Sequence, residues 1–356
     1  MSVGDELKKL GLKKAYYYLD KDPDANLPKL MEWLDHFVGD NKVMVEQRMA
    51  FKRVIQEKDS NWYKLIESVW TDIDDDVRKT LFENMVINGN AIAGPKAKRN
   101  MAEYGCYIPW AIIFQMSESP DENLSFDEMD SLIEQAKELG TFIYVFSGGD
   151  PLYDSDELIA ICNKHSDCEF MVFTSGLGID DELAVQMKRV RNIVPAIRIT
   201  GSARDKAVEE PMRILKANKL PFGNFINYDV NTVDNFRHES FFDDMIESGS
   251  KFCWFFTPLT GDADTLYPMI VDYRQSKPLL TISYCRDTGI MGGCTAGGKR
   301  FCVIDANGDV EPCTFMHVSD TNVKDGKSTL LDAYRSPLFM TYYRGEAECS
   351  RMCKNK

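Results

Sequence analysis

From Trp110 onward, short apolar runs alternate with amphipathic stretches. The runs are Trp110–Met116, Phe142–Phe146, Phe170–Thr174, Val194–Thr200, Phe222–Tyr228 and Phe252–Thr257. Each has strand length, and most are separated by apolar residues at helical spacing. The clearest intervening helix opens with Ser125-Phe126-Asp127-Glu128, the pattern of a capping box. It continues through Met129, Leu132, Ile133, Ala136 and Leu139 and stops at Gly140. Strands alternating with helices give parallel βαβ units, and six of them predict an α/β fold, a partial (β/α)6 TIM-like barrel. In such a barrel the chemistry sits on loops at the C-terminal ends of the strands.

The pattern differs on either side of this region. Residues 1–106 read as a helical segment. Asn26 is a candidate N-cap, Pro28 follows, and Leu27, Leu30, Met31, Leu34, Phe37 and Val38 repeat at helical spacing; Asn61–Ile66 and Val77–Ile87 continue the pattern. Asp72, Asp74, Asp75 and Asp76 lack the spacing of a calcium loop and read as acids at the start of a helix. The barrel spans 107–280. Residues 281–356 form a small Cys-rich lobe with glycine clusters and Asn307-Gly308, a strong hairpin signal because both residues tolerate positive φ.

Composition narrows the function. The chain has 356 residues, ten cysteines and a net charge of −14. Residues 1–100 carry 17 basic and 17 acidic residues, so the whole excess falls on the remainder. An acidic body argues against a nucleic-acid backbone as partner. No run is long enough to cross a membrane, and the N-terminus lacks a signal-peptide layout, so a cytoplasmic protein is expected. In a reducing compartment ten cysteines point to metal ligands or buried packing before disulfides.

Two stretches carry candidate chemistry. Ser147-Gly148-Gly149-Asp150-Pro151 ends the second strand. Its glycines would let backbone groups face a ligand, and its carboxylate would accept from an ammonium; a tight turn into a helix needs the same residues. The other is Gly293-Cys294-Thr295-Ala296-Gly297-Gly298 with Asp309-Val310-Glu311-Pro312-Cys313, followed by Cys349 and Cys353. Four thiolates suit an iron–sulfur cluster or a tetrahedral zinc ion, and metal-free thiols are the third reading. Cys302 reads as a packing residue, Cys285 as a spare ligand, and His317 as a polar histidine before a ligand.

Together with Glu103-Tyr104-Gly105-Cys106 running into Ile108–Ile112, these motifs resemble radical S-adenosylmethionine enzymes with a C-terminal SPASM-type auxiliary-cluster domain. The resemblance implies a partial barrel whose first loop binds a [4Fe–4S] cluster through Cys-x3-Cys-x2-Cys, with S-adenosylmethionine on the fourth iron. It makes Gly148, Gly149, Asp150 and Pro151 a vestigial S-adenosylmethionine site, and Cys294, Cys313, Cys349 and Cys353 the ligands of one [4Fe–4S] cluster.

The chain departs from the family at the decisive loop. Ser117–Leu124 contains no cysteine, Asp150 replaces the family's glutamate, and the fourth strand ends Ile197-Arg198-Ile199-Thr200-Gly201 without the usual serine and glutamate. Carboxylates and hydroxyls are poor ligands for an iron–sulfur cluster. The sequence therefore predicts a degenerate member, without S-adenosylmethionine cleavage, that binds a peptide, a small molecule or an active paralogue. The alternatives are an active radical enzyme with unconventional cluster ligands and a cluster-based redox carrier.

Overall fold

The computed structural model describes residues 3–23, 25–26, 29, 57–257, 263–289, 293–324, 326 and 328–347. Among the described residues nine strands form one sheet in the order β7-β6-β5-β4-β3-β2-β1-β8-β9. They are β1 (Ala111–Met116), β2 (Ile143–Gly148), β3 (Glu169–Thr174), β4 (Ile193–Arg198), β5 (Gly223–Asn227), β6 (Phe252–Phe256), β7 (Leu280–Ser283), β8 (Phe301–Asp305) and β9 (Val310–Glu311). All pairings are parallel except β8 with β9. The sheet curls without closing, which makes the partial TIM-like barrel that the alternating pattern predicts.

Side chains alternate across this sheet as the pleat requires. Ile112, Phe114, Tyr144, Phe146, Phe170 and Val172 point outward into the core shared with the helices, while Ala111, Ile113, Val145, Phe173 and Phe225 point into the lumen. The first six strands coincide with the six apolar runs. The seventh, β7, was hidden by its length of four residues and by the polar Thr281 and Ser283 on its outward side. Thr281 is buried because its hydroxyl donates to the Ile270 carbonyl at 2.6 Å.

The helix expected after β1 is present over Phe126–Leu139. Ser125 and Glu128 form both halves of the capping box, and Gly140 ends the helix at φ +109°. Asp75 and Asp76 open the helix Asp75–Leu81 as read from sequence and Asp74 caps it, accepting from the Asp76 and Val77 amides, but Asp72 is the last residue of the preceding helix, where it pairs with Lys251. Most of the helix expected over Asn26–Val38 lies outside the described residues.

The N-terminal helices form the floor of the barrel. Here α1 is Val3–Lys21, α2 Asn61–Asp72 and α3 Asp75–Leu81, followed by a π-helix over Phe82–Ile92 and by α4, Ala93–Tyr104. Asn84 on the π-helix donates to the Ser166 and Cys168 carbonyls, and Asn88 donates to Asp167, all on the turn that enters β3. Asn61 does the same for Arg274 and Lys277 ahead of β7. These amides satisfy carbonyls that the barrel's lower turns leave exposed.

The C-terminal stretch is not a separate lobe in its first part. Strand β8 pairs in parallel with β1, Ala111 opposite Phe301 through Gln115 opposite Asp305, and so extends the barrel sheet. The β8–β9 hairpin forms where expected, with one difference. Only Gly308 adopts positive φ, at +85°, while Asn307 does not. The Gly308 amide donates to Asp305 at 3.0 Å, a turn plus one left-handed residue, which needs glycine at only one position.

Candidate functional site

The upper rim begins with the loop leaving β1. The Ser117 amide donates to the Asn123 side chain at 2.7 Å, its hydroxyl donates to Glu122 at 2.9 Å, and the Ser119 amide donates back to that hydroxyl. The loop satisfies its own polar groups and holds no sulfur. Five barrel cysteines, Cys106, Cys162, Cys168, Cys253 and Cys302, lie fully buried in the layer between sheet and helices, away from the lumen. Burial pushes all five thiols up, Cys302 to about 12, so they remain protonated. Cys302 donates to the Tyr334 hydroxyl at 3.8 Å, in keeping with a packing role. Among the described residues no three His, Cys, Asp or Glu side chains form a metal-binding group.

The Gly148-Gly149 turn is explained by contact between loops. A Cβ on Gly149 would fall 2.1 Å from the Ser117 carbonyl oxygen, and one on Gly148, at φ +94°, 2.5 Å from that of Met116. The Gly149 amide donates to Met116 at 2.8 Å and ties the two loops together. Asp150 differs from the expectation that it would accept from a ligand's ammonium. One oxygen accepts from the Thr174 hydroxyl at 2.6 Å and the Leu152 amide at 3.1 Å. The other accepts from the amide and the hydroxyl of Ser175. A carboxylate has about four acceptor sites, and its own loops use four. Burial works against the charge, but the bonds from Ser175 and Thr174 hold the carboxyl below its usual range. Pro151 starts the short turn Pro151–Asp154 that follows and is buried.

Asp150→Asn should therefore act on stability. Its amide group would face the Ser175 donors with hydrogens of its own, at a cost of about 1.5–3 kcal/mol. Because the folded carboxyl titrates below the ordinary value, the deficit should be full above about pH 4 and shrink as acid protonates the native protein. Urea titrations at pH 7 and pH 3 check this. An equal deficit at both would be the contrary result.

In the C-terminal part, the segments that carry Cys294 and Cys313 are tied together. The Gly297 amide donates to the Pro312 carbonyl at 2.8 Å, and both cysteines pack on the small cluster of Ala296, Tyr342 and Ala347. Cys285 packs on the side chains that line the lumen, and burial keeps the Tyr284 phenol protonated. Cys349 and Cys353 lie outside the described residues. His317 contacts Glu311 at 3.1 Å, which gives it a carboxylate partner.

Beneath the rim lies a lumen of about 550 Å³. Its wall is aromatic: Phe173 stacks on Phe225 with ring centres 4.9 Å apart, Trp254 on Phe256 at 6.1 Å, and Tyr284 bridges the open seam to Phe301 at 5.7 Å. Gln115, Ser147 and Asn227, at the C-terminal ends of β1, β2 and β5, line its upper part, and Thr314 and His317 add polar groups to the wall. Near the floor Glu169, 3% exposed, faces the cavity with neither carboxyl oxygen hydrogen-bonded. Sequence reading missed it. The signal was its place two residues before Met171 and four before Phe173, a charged residue on the lumen side of an otherwise apolar strand.

No protein-family model and no curated protein matches the sequence. Among solved structures the chain is similar to Streptococcus suis SuiB, with a TM-score of 0.56 at 16% identity, covering 70% of this chain and 71% of SuiB. SuiB bound to S-adenosylmethionine aligns with a TM-score of 0.55 at 15% identity over 70% of this chain and 71% of that one. SuiB bound to its precursor peptide SuiA gives 0.54 at 15% identity over 70% of each chain. At this identity the likeness concerns architecture. The chain shares its fold with SuiB, and that fold is the partial barrel which the resemblance to radical S-adenosylmethionine enzymes implies.

Proposed function

We propose that this protein is a degenerate radical S-adenosylmethionine-type barrel that does not cleave the cofactor, binds one cluster in its C-terminal part, and receives a peptide across its mouth. The observation that carries the reading is the β1 exit loop, which lacks cysteine and is closed by its own hydrogen bonds. Cys294 and Cys313, packed on one cluster of side chains, would supply two of the ligands. Cys349 and Cys353, two and six residues beyond Ala347 in the sequence, would be the others. Four thiolates close a cluster, which then serves electron transfer or structure and leaves no iron open.

A peptide is favoured over other partners by the rim. Tyr153, Leu177 and Val230 are 54–77% exposed, and all lie on segments that follow the C-terminal ends of parallel strands. SuiB, with the same fold, has been solved with a peptide bound.

After anaerobic reconstitution, about four irons per chain are expected, with loss of visible absorbance in Cys294→Ser and Cys313→Ser. Titration with S-adenosylmethionine should give no binding heat and no 5′-deoxyadenosine. About eight irons with 5′-deoxyadenosine would establish the active alternative. One zinc per chain without visible absorbance would replace the cluster by a tetrahedral ion.

A further inference from the structure

The lumen asks for an occupant that the rim does not supply. Its wall presents aromatic faces from β3, β5, β6, β8 and the end of β7, and its volume of about 550 Å³ falls within the usual range of small-molecule pockets, about 300–1,000 Å³. The charged side chains lining it are few. Lys251 is already paired with Asp72 and donates to Ser68 at 2.9 Å. His317 is engaged with Glu311. Glu169 is left, buried and without a hydrogen bond; the nearby Asn84 amide gives its hydrogens to the Ser166 and Cys168 carbonyls. A buried acid without a partner is costly, and a cation in contact with it removes that cost.

We propose that the lumen binds a small hydrophobic amine, with its ammonium on Glu169 near the floor and its apolar body along Phe173, Phe225, Trp254 and Phe256. The aromatic faces suit both ends of such a molecule, since ring quadrupoles attract cations and ring surfaces bury hydrocarbon. Depth excludes a side chain of a peptide lying across the mouth. Five residue steps separate Glu169 from Thr174, roughly 16 Å of strand, which is longer than any side chain. The occupant is therefore a free, elongated molecule. The inference does not depend on the cluster.

Burial pushes the Glu169 carboxyl up to about 8, so at pH 7 it is mostly protonated. An ammonium replaces that proton: the neutral acid and R–NH3+ become carboxylate and R–NH3+ in contact, and one H+ passes to the buffer. Calorimetry with octylamine, octan-1-ol and octanoate in buffers of different ionisation enthalpy tests the assignment. Octylamine should bind at least tenfold tighter than octanol, and octanoate weakest. Most of a proton should be released per octylamine at pH 7 and almost none at pH 9.5. Glu169→Gln should bring octylamine to the octanol level while leaving octanol within about threefold. Equal affinities, tighter octanoate, no binding by any of the three, or an unaltered variant would overturn the proposal. If the variant does not fold, proton release by the native protein decides, and its absence at pH 7 is a refutation.

Discussion

Glu169→Gln should be more stable than the native chain above about pH 8, and the gap should close on acidification. The reason lies in a proton. Burial raises the folded carboxyl from its ordinary 4.5 to about 8. Between those values the folded chain keeps a proton that the unfolded chain releases. The stability contributed by the neutral acid is thus complete below about pH 4.5 and is lost as pH rises through 8. A shift of this size sets an upper limit of about 4–5 kcal/mol, and water entering the lumen will reduce what is measured. Glutamine has the shape of the neutral acid and no proton to lose, so its profile should lack this slope. Denaturant titrations of both proteins at pH 5, 7 and 9 give the comparison. Parallel profiles would mean that the carboxyl is hydrated and ordinary.

Gly149→Ala should destabilise the fold by about 3 kcal/mol or more. The added methyl carbon would meet the Ser117 carbonyl oxygen at 2.1 Å, its carbon at 2.4 Å and the Glu118 nitrogen at 2.7 Å. All three are backbone atoms, so relief requires β1 and β2 to part at the rim, and overpacking of this kind costs about 1–3 kcal/mol even where side chains yield. Gly11→Ala is the contrast. Nothing lies within 4 Å of its Cβ, it sits inside α1, and alanine there should be neutral or stabilising by up to about 1 kcal/mol. The comparison bears on function. If Gly149→Ala melts within 1 °C of the native protein, the glycines are not there for packing, and a ligand-facing backbone regains its claim.

The residues that announced the barrel were those whose burial is two-sided. Strands such as Phe170-Met171-Val172-Phe173 face helices on one side and lumen on the other, so they read as continuous apolar runs. Strand β7 escaped because Thr281 finds its hydrogen bond only in the folded structure, across to Ile270. The same limit applies to the site. That Asp150 spends its acceptors on Thr174 and Ser175, 24 and 25 residues away, follows from tertiary placement and from no local motif. The absence of cysteine from Ser117–Leu124 was plain in the letters. That the remaining barrel thiols face the helices depended on strand register.

The insertion of β8 beside β1 has a consequence for biosynthesis. Residues 111–115 and 301–305 are partners across nearly two hundred residues of chain. Until the ribosome has released the later stretch, β1 presents an unpaired flank of amide and carbonyl groups, the kind of edge that recruits other strands. A chain ending before Phe301 should therefore accumulate as insoluble material, with all of β1–β7 in place but nothing to cover that flank.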